Sequence, residues 1–378
     1  MNKQKSTYLL VVIFSIFFLF AANKIATNEY PFLRSEEADS LFKATVVSVQ
    51  PFDGSAAYTA DSLAFQAKLL NGPQKDQIVS AMQPLNVVVS SIRLVETGDK
   101  ILLLHQPGST PGEFGWHYIE HIRSNAVLYL AIAFAVALLL FGRMKGLNIL
   151  LSLAFTFIAI FAVLLPAILS GKNIYYWSLL ISLFIVVMTL FITNGINAKS
   201  FATILGCLGG IFIAGLLMLL MDAVIKLTGI VSEDSIYLLY LKTNNPIDLK
   251  AIVFASVIIG AIGAIMDIAM DISASLHEIK SKVTQADAKT LLHSGMTIGR
   301  DILGTMANTL ILAYIGSSLS VVLLLLAYNQ SLIHLLNREM VIVEMLQMLI
   351  GSFGILSTIP LTSYICAKLF TKTKKRTR

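Results

Sequence analysis

Between Ala251 and about Ile315 the chain carries two long apolar segments whose polar positions are not scattered. At ~100° per residue, Ser256, Gly260, Gly263, Ala264, Asp267, Asp271, Ser275 and Glu278 fall on one side of a helix. Ile258, Ile262, Ile265 and Ile272 fall on the other. In the next segment Asp301, Thr305 and Asn308 repeat at spacings of four and three, so they too share a face. Two polar stripes on consecutive helices predict a protein-lined or water-lined seam inside a bundle.

Apolar runs, these two included, cover residues 8–22, 124–142, 147–169, 174–193, 200–221, 249–273, 298–327 and 341–368. Most reach the roughly 20 residues that cross ~30 Å of hydrocarbon. The expectation is about eight transmembrane helices. Gly206, Gly209, Gly210 and Gly215 in the run 200–221 predict close helix packing.

Between residues 23 and 115 the pattern shortens to period two. Strands are expected at 44–49, 65–70, 77–82, 86–94 and 100–105. Asp53-Gly54, Asn71-Gly72-Pro73, Gln83-Pro84, Gly98-Asp99 and Gln106-Pro107-Gly108 supply the turns between and around them. About five short strands predict a small β-barrel-like domain, for which an OB-like form is one candidate. Its aromatic and basic residues are too sparse for nucleic acid, and a partner-docking role fits better.

Composition agrees. Of 378 residues, 56% are hydrophobic and 13% charged, against about 25% charged in soluble domains. The class is a polytopic α-helical membrane protein with a small extracellular β-domain, its partner the lipid bilayer. The net charge of +6 does not signal nucleic acid, because Lys368, Lys372, Lys374, Lys375, Arg376 and Arg378 cluster after the last run. Cys207 and Cys366 both sit in apolar runs and offer no disulfide framework.

Loop charge sets the orientation. Lys3 and Lys5, Arg143 and Lys145, Lys199, the Lys280/Lys282/Lys289/Arg300 group and the C-terminal cluster all fall on one side. Both termini are then cytoplasmic in a bacterial plasma membrane, with the β-domain outside. The expected division is a signal anchor over 1–22, a β-rich domain over 23–122, a seven-helix bundle over 123–370 and a basic tail over 371–378. Ala21 and Ala22 leave cleavage of the first segment open, but no clear A-x-A site follows and the anchor is favoured.

The segment GAIGAIMDIAMDISASLHEI, followed by GRDILGTMANTLILAYIG, resembles the signature of the YibE/F-like family of bacterial multi-pass membrane proteins. FQAKLLNG and LVETGDKILLL in the outer region resemble the same family. The resemblance implies a polytopic protein, in Gram-positive bacteria often accompanied by a related shorter membrane subunit. It implies no catalytic residues, and no cofactor is expected.

The chemistry must come from the residues. A charged carboxylate inside a span costs about 2.5–3.5 kcal/mol on insertion scales and usually faces a cavity, a cation or a proton path. Asp267, Asp271, Asp301, Thr305 and Asn308 are therefore the candidate proton, ion or substrate site, with Gly260 and Gly263 permitting close helix approach. The bland alternatives are an ion pair of Asp267 with Arg300, a hydrogen bond to Asn308, and Asp301 as a helix-start acid. A transporter or permease for a small ion or solute leads. A non-transporting envelope scaffold or assembly factor pairing with a related subunit is the alternative.

Enzymatic readings are weak. An intramembrane aspartyl hydrolase carries Gly-x-Gly before its aspartate, whereas Ala264-Ile265-Met266 precedes Asp267. His117-Tyr-Ile-Glu120-His121 matches H-x-x-E-H, a zinc-peptidase pattern when its histidines share a helix face. It stands beside Trp116 and Tyr118 just before an apolar run, where an interfacial belt belongs, so His117 and His121 are only weak metal candidates. Residues 281–294 read as a short amphipathic helix capped at Thr284, either a connector or a latch over the seam.

Overall fold

The computed structural model describes residues 3–27, 41–49, 62–84, 93–105, 115–240, 246–283, 285–327 and 331–372. Contacts divide the chain into two compact units, one comprising Met1–Phe32 with Leu139–Arg378, the other Leu33–Leu138.

The smaller unit contains a closed barrel of β1 (Leu41–Val49), β2 (Ser62–Leu69), β3 (Ile78–Pro84), β4 (Lys100–His105) and β5 (Trp116–His121), in the order β1-β2-β3-β5-β4. β1 pairs antiparallel with both β2 and β4, and the parallel contact of Met82 with His117 joins β3 to β5. Alternation places Ala44, Val46, Phe65, Ala67, Leu69, Ala81, Ile101 and Leu103 inside. Trp116 closes one region of this core, edge-on to Phe42 at 5.0 Å. Gln83 ties the 93–95 segment to β3: its amide donates to the Arg93 carbonyl and its oxygen accepts from Val95 N–H, both at 3.0 Å. Gly72 must be glycine, because its φ is +85° and a Cβ there would strike the Phe42 ring.

Two expectations change here. The fifth strand is β5, read from sequence as an interfacial belt. Of the expected strand 86–94, residues 86–92 lie outside the described residues, as do the turns at 53–54 and 106–108, and 93–94 are not in a strand. Second, His117 and His121 stand on a strand, not a helix, and at ~3.3 Å per residue they are about 13 Å apart.

The larger unit is helical. It contains α1 (Lys3–Ala26), most of α2 (Ser124–Ile158), a π-helical segment (Ala159–Leu164), α3 (Leu165–Leu169), α4 (Ile174–Asn194) and α5 (Ala198–Ile225). Short α6 (Glu233–Leu239) precedes α7 (Leu249–Lys282), α8 (Ala288–Ser317), α9 (Leu319–Ala327), α10 (Leu332–Leu336) and α11 (Glu339–Lys372). Asn173, Asn197, Asp248 and Asp287 cap α4, α5, α7 and α8, each accepting from the backbone N–H three residues on. The expected helix over 281–294 is therefore not separate: α7 runs to Lys282 and α8 begins at Ala288. Thr284, its expected cap, lies outside the described residues, as does the tail from residue 373.

Six helical runs among the described residues are long and apolar enough to cross a membrane: Thr7–Ala26, Ser124–Leu169, Ile174–Asn194, Ala198–Ile225, Leu249–Lys282 and Glu339–Thr371. Eight were expected. The two runs 124–142 and 147–169 form one 46-residue stretch, broken at Arg143, whose φ of 47° and ψ of −124° are not helical. The run 298–327 is divided between α8 and α9 at Ser318, and α8 carries Arg300 and Asp301 within it.

α11 lies against α5, α7 and α8. The α5 glycines let it approach: a Cβ on Gly206 or Gly210 would strike the Thr362 or Thr358 hydroxyl, and one on Gly209 would lie 2.6 Å from Leu361 Cδ1. On α8, Gly295 meets Ser363 and Gly299 meets Ile359 in the same way. α1 joins the unit through Phe18, stacked on Phe184 at 4.4 Å, and through its carbonyl of Ala26, which accepts from Ser170 Oγ at 2.7 Å. The Asn23 amide donates to the Ala162 carbonyl, within the π-helical segment.

Candidate functional site

Helix α7 has two faces, as its sequence implies, but their surroundings are the reverse of a closed seam. Ile258, Ile262, Ile265 and Ile272 are fully buried among α4, α5 and α11. Ser256, Gly260, Gly263, Asp267, Asp271 and Glu278 are exposed, and Ala264 and Ser275 are half-buried. The stripe therefore lies on the surface of the single-chain bundle.

Helix α8 repeats the arrangement. Gly295, Gly299 and Leu310 are buried toward α11, while Asp301, Thr305 and Asn308 point outward and are exposed. Thr305 donates to its own helix, to the Ile302 carbonyl at 2.8 Å. The two helices run antiparallel. Leu276 meets Gly295 toward one end, and Ala261 and Leu310 both approach Gly351 toward the other. That register sets Asp267 level with Thr305, and Asp271 level with Asp301.

Level is not the same as joined. Among the described residues, Asp267, Asp271, Asp301 and Asn308 make no hydrogen bond or ion pair, with Arg300 or with one another. Asp267 and Asp271 are neighbours on one helix face, where their charges repel. Gly260 lies under the Tyr314 hydroxyl of α8, and Gly263 has nothing within 4 Å of where a Cβ would stand.

A further polar group, not singled out by the helical pattern, lies along the same face. Gln347 of α11 donates to Ser256 Oγ at 3.0 Å. One carboxylate oxygen of Glu344, one turn earlier on α11, is buried without a partner among the described residues. Glu344 and Gln347 are three residues apart beside the buried Val343 and Leu346, a spacing that gave the only advance signal.

The barrel holds a second constellation. His121 is buried between Tyr118, whose hydroxyl lies 2.5 Å from Nδ1, and Asp99, 3.2 Å from Nε2. Asp99 also accepts from Glu96 N–H at 3.0 Å and faces Arg93 at 3.3 Å. The Glu96 hydrogen bond holds the Asp99 carboxyl below the usual range, aided by Arg93 and His121 and opposed by partial burial. Burial first, and then the Glu120 charge, push the Tyr118 hydroxyl up. Glu120 itself faces Arg123 at 3.2 Å. Among the described residues no group of three His, Cys, Asp or Glu side chains is placed to hold a metal ion.

A family model described as YibE/F-like protein matches residues 130–372, well over half the chain. The chain belongs to the YibE/F-like family. The family match covers the helical part from within α2 to the end of α11, including both polar stripes, and excludes the barrel strands. No curated protein and no solved structure matches the chain. This YibE/F-like protein is thus a membrane-embedded chain whose family membership carries no named activity.

Proposed function

We propose that this chain is the larger subunit of a permease-like complex in a bacterial plasma membrane, and that it is not an enzyme. The outward stripe of α7 and α8 would be completed by a second membrane subunit, either a copy of the chain or its shorter relative. Asp267 and Asp271, with Asp301, Thr305 and Asn308, would form the proton or cation site along that face.

One observation carries the reading: Asp267 and Asp271 inside the apolar helix α7, and Asp301 in the neighbouring α8, are exposed and make no hydrogen bond or ion pair among the described residues. Left in lipid, each charged group would cost about 2.5–3.5 kcal/mol. A covering subunit removes that cost and encloses a polar path. Gly263, with open space beside it, would let the second subunit approach closely.

The reading includes eight crossings. The run Ser124–Leu169 has 46 residues, which at 1.5 Å each extends about 69 Å, over twice the hydrocarbon thickness. Its break at Arg143 supports two crossings, and α8, at about 45 Å, is long enough for another. Both termini are then cytoplasmic and the barrel lies outside.

The test is cation and proton flux into liposomes holding the purified complex, wild type against Asp267→Asn. Loss of flux in a folded variant supports coupling at Asp267; unchanged flux removes that role. In the alternative reading, a scaffold whose barrel docks a partner, no cation moves. Deletion of residues 30–115 then abolishes complex formation, whereas a carrier keeps its flux.

A further inference from the structure

Away from the acidic stripes, α1 and α4 do not close on each other along their full length. Between them lies a cavity of ≈ 420 Å³ whose lining is apolar, including Leu10, Phe14, Leu183, Phe184 and Val187. A second cavity of ≈ 490 Å³ adjoins it, sharing Val11, Phe191 and Ile196, and is lined by Tyr8, Asn148, Thr193, Asn194 and Asn197. Both volumes fall in the range of small-molecule sites. A greasy slot that opens into a polar chamber at one end has the polarity profile of a lipid.

The polar chamber holds unspent hydrogen-bonding capacity. The amide of Asn148 and the hydroxyl of Tyr8, both half-buried, have no partner among the described residues. Half-buried Lys199 stands behind the lining, its ammonium 3.4 Å from the side-chain oxygen of the lining residue Asn194, and has no carboxylate partner among the described residues. Two polar groups with spare hydrogen-bonding capacity in a chamber whose Asn194 wall is backed by a cation favour an anionic oxygen ligand. The slot runs about 12 Å along α1 from Leu10 to Phe18. It is too narrow for a helix, which needs 8–10 Å between axes, because α1 and α4 already touch at Phe18–Phe184.

We propose that these two cavities together bind one membrane phospholipid, with an acyl chain between α1 and α4 and the phosphate headgroup at Tyr8 and Asn148, drawn by the charge of Lys199 behind Asn194. The lipid then acts as a wedge that fixes α1 to the helical unit. This site is independent of the acidic stripes and of the transport reading.

The test is native mass spectrometry of the full chain in detergent micelles, before and after delipidation and re-addition of a defined phosphatidylglycerol. The wild type should retain one phospholipid per chain. Leu183→Trp, which fills the slot from an exposed rim position, should lower retention about tenfold or more, and Lys199→Gln should weaken it to a smaller degree. If Leu183→Trp is not monodisperse, Leu10→Trp replaces it at another exposed lining position. An excess of inorganic phosphate should leave lipid retention unchanged. No retention by the wild type, equal retention by the filled variant, or displacement by phosphate alone would overturn the proposal.

Discussion

The glycine contacts give a sharp pair of stability predictions. An alanine at position 206 of α5 would put its Cβ 2.9 Å from Thr362 Cβ and 3.2 Å from Thr362 Cα, besides striking the hydroxyl. These neighbours are backbone or branch atoms and cannot swing aside, so α11 would have to move. Overpacking of this kind costs about 1–3 kcal/mol, and the helix propensity of alanine over glycine returns at most about 1 kcal/mol. The net expectation for Gly206→Ala is a loss of about 1–2 kcal/mol. Gly263→Ala is the matched control. It makes the same chemical change in a helix interior with no neighbour within 4 Å, and should be neutral or stabilising by up to about 1 kcal/mol. Reversible unfolding in mixed detergent micelles, followed by circular dichroism, measures both. Equal stability of the two variants would refute the idea that the α5 glycines act by admitting α11.

Three further outcomes follow from particular contacts. The Asp99 carboxyl has a folded pKa below its ordinary value. Its contribution to the barrel is therefore complete above about pH 4 and disappears as pH falls through the lower folded value. Fluorescence of Trp116 in a Trp177→Phe background should show that acid loss, and Asp99→Asn should be less stable at neutral pH and show a shallower decline in acid. Glu339 accepts from Thr228 N–H at 2.8 Å, from Thr228 Oγ1 at 2.7 Å and from Gly229 N–H at 2.5 Å. Glu339→Ala should release the 226–231 loop, costing about 1 kcal/mol, seen as faster amide exchange there with little change in α5. Ser170→Ala removes the hydrogen bond to the end of α1 and should raise proteolytic release of that helix, again for a cost of about 1 kcal/mol.

Much of this architecture was legible in the residues. Period two over 44–49 and 65–70 and the long apolar runs gave the barrel and the membrane helices, because burial on one face imposes a period. β5 escaped because Trp116, Tyr118 and the two histidines fit an interfacial belt as well as a strand; only the pairing of β5 with β3 and β4 decides between them. The break at Arg143 was legible, because Arg143 and Lys145 interrupt the apolar run there; that the two halves still continue as one helical stretch was not, since no composition signal separates a kink from a loop. The α7 stripe is the more instructive case. The helical wheel correctly grouped Ser256, Gly260, Gly263, Asp267, Asp271 and Glu278, but a wheel reports which residues share a face, not what covers it. In water, the isoleucine face would be the core and the acidic face the surface. In a bilayer, either face can be the inner one, and the α5 and α11 partners that chose the isoleucine face lie about 60 and 90 residues away in the chain.

The reading of α7 and α8 stands or falls on what covers Gly263 in the membrane. A photoreactive benzoyl-phenylalanine placed there in the full chain, irradiated in native membranes and analysed by mass spectrometry, answers this directly. Cross-links to a second copy of the chain, or to a shorter membrane protein of the same family, are the predicted result. Adducts with lipid alone, from a folded protein, would contradict it and leave the carboxylates of Asp267 and Asp271 facing the bilayer.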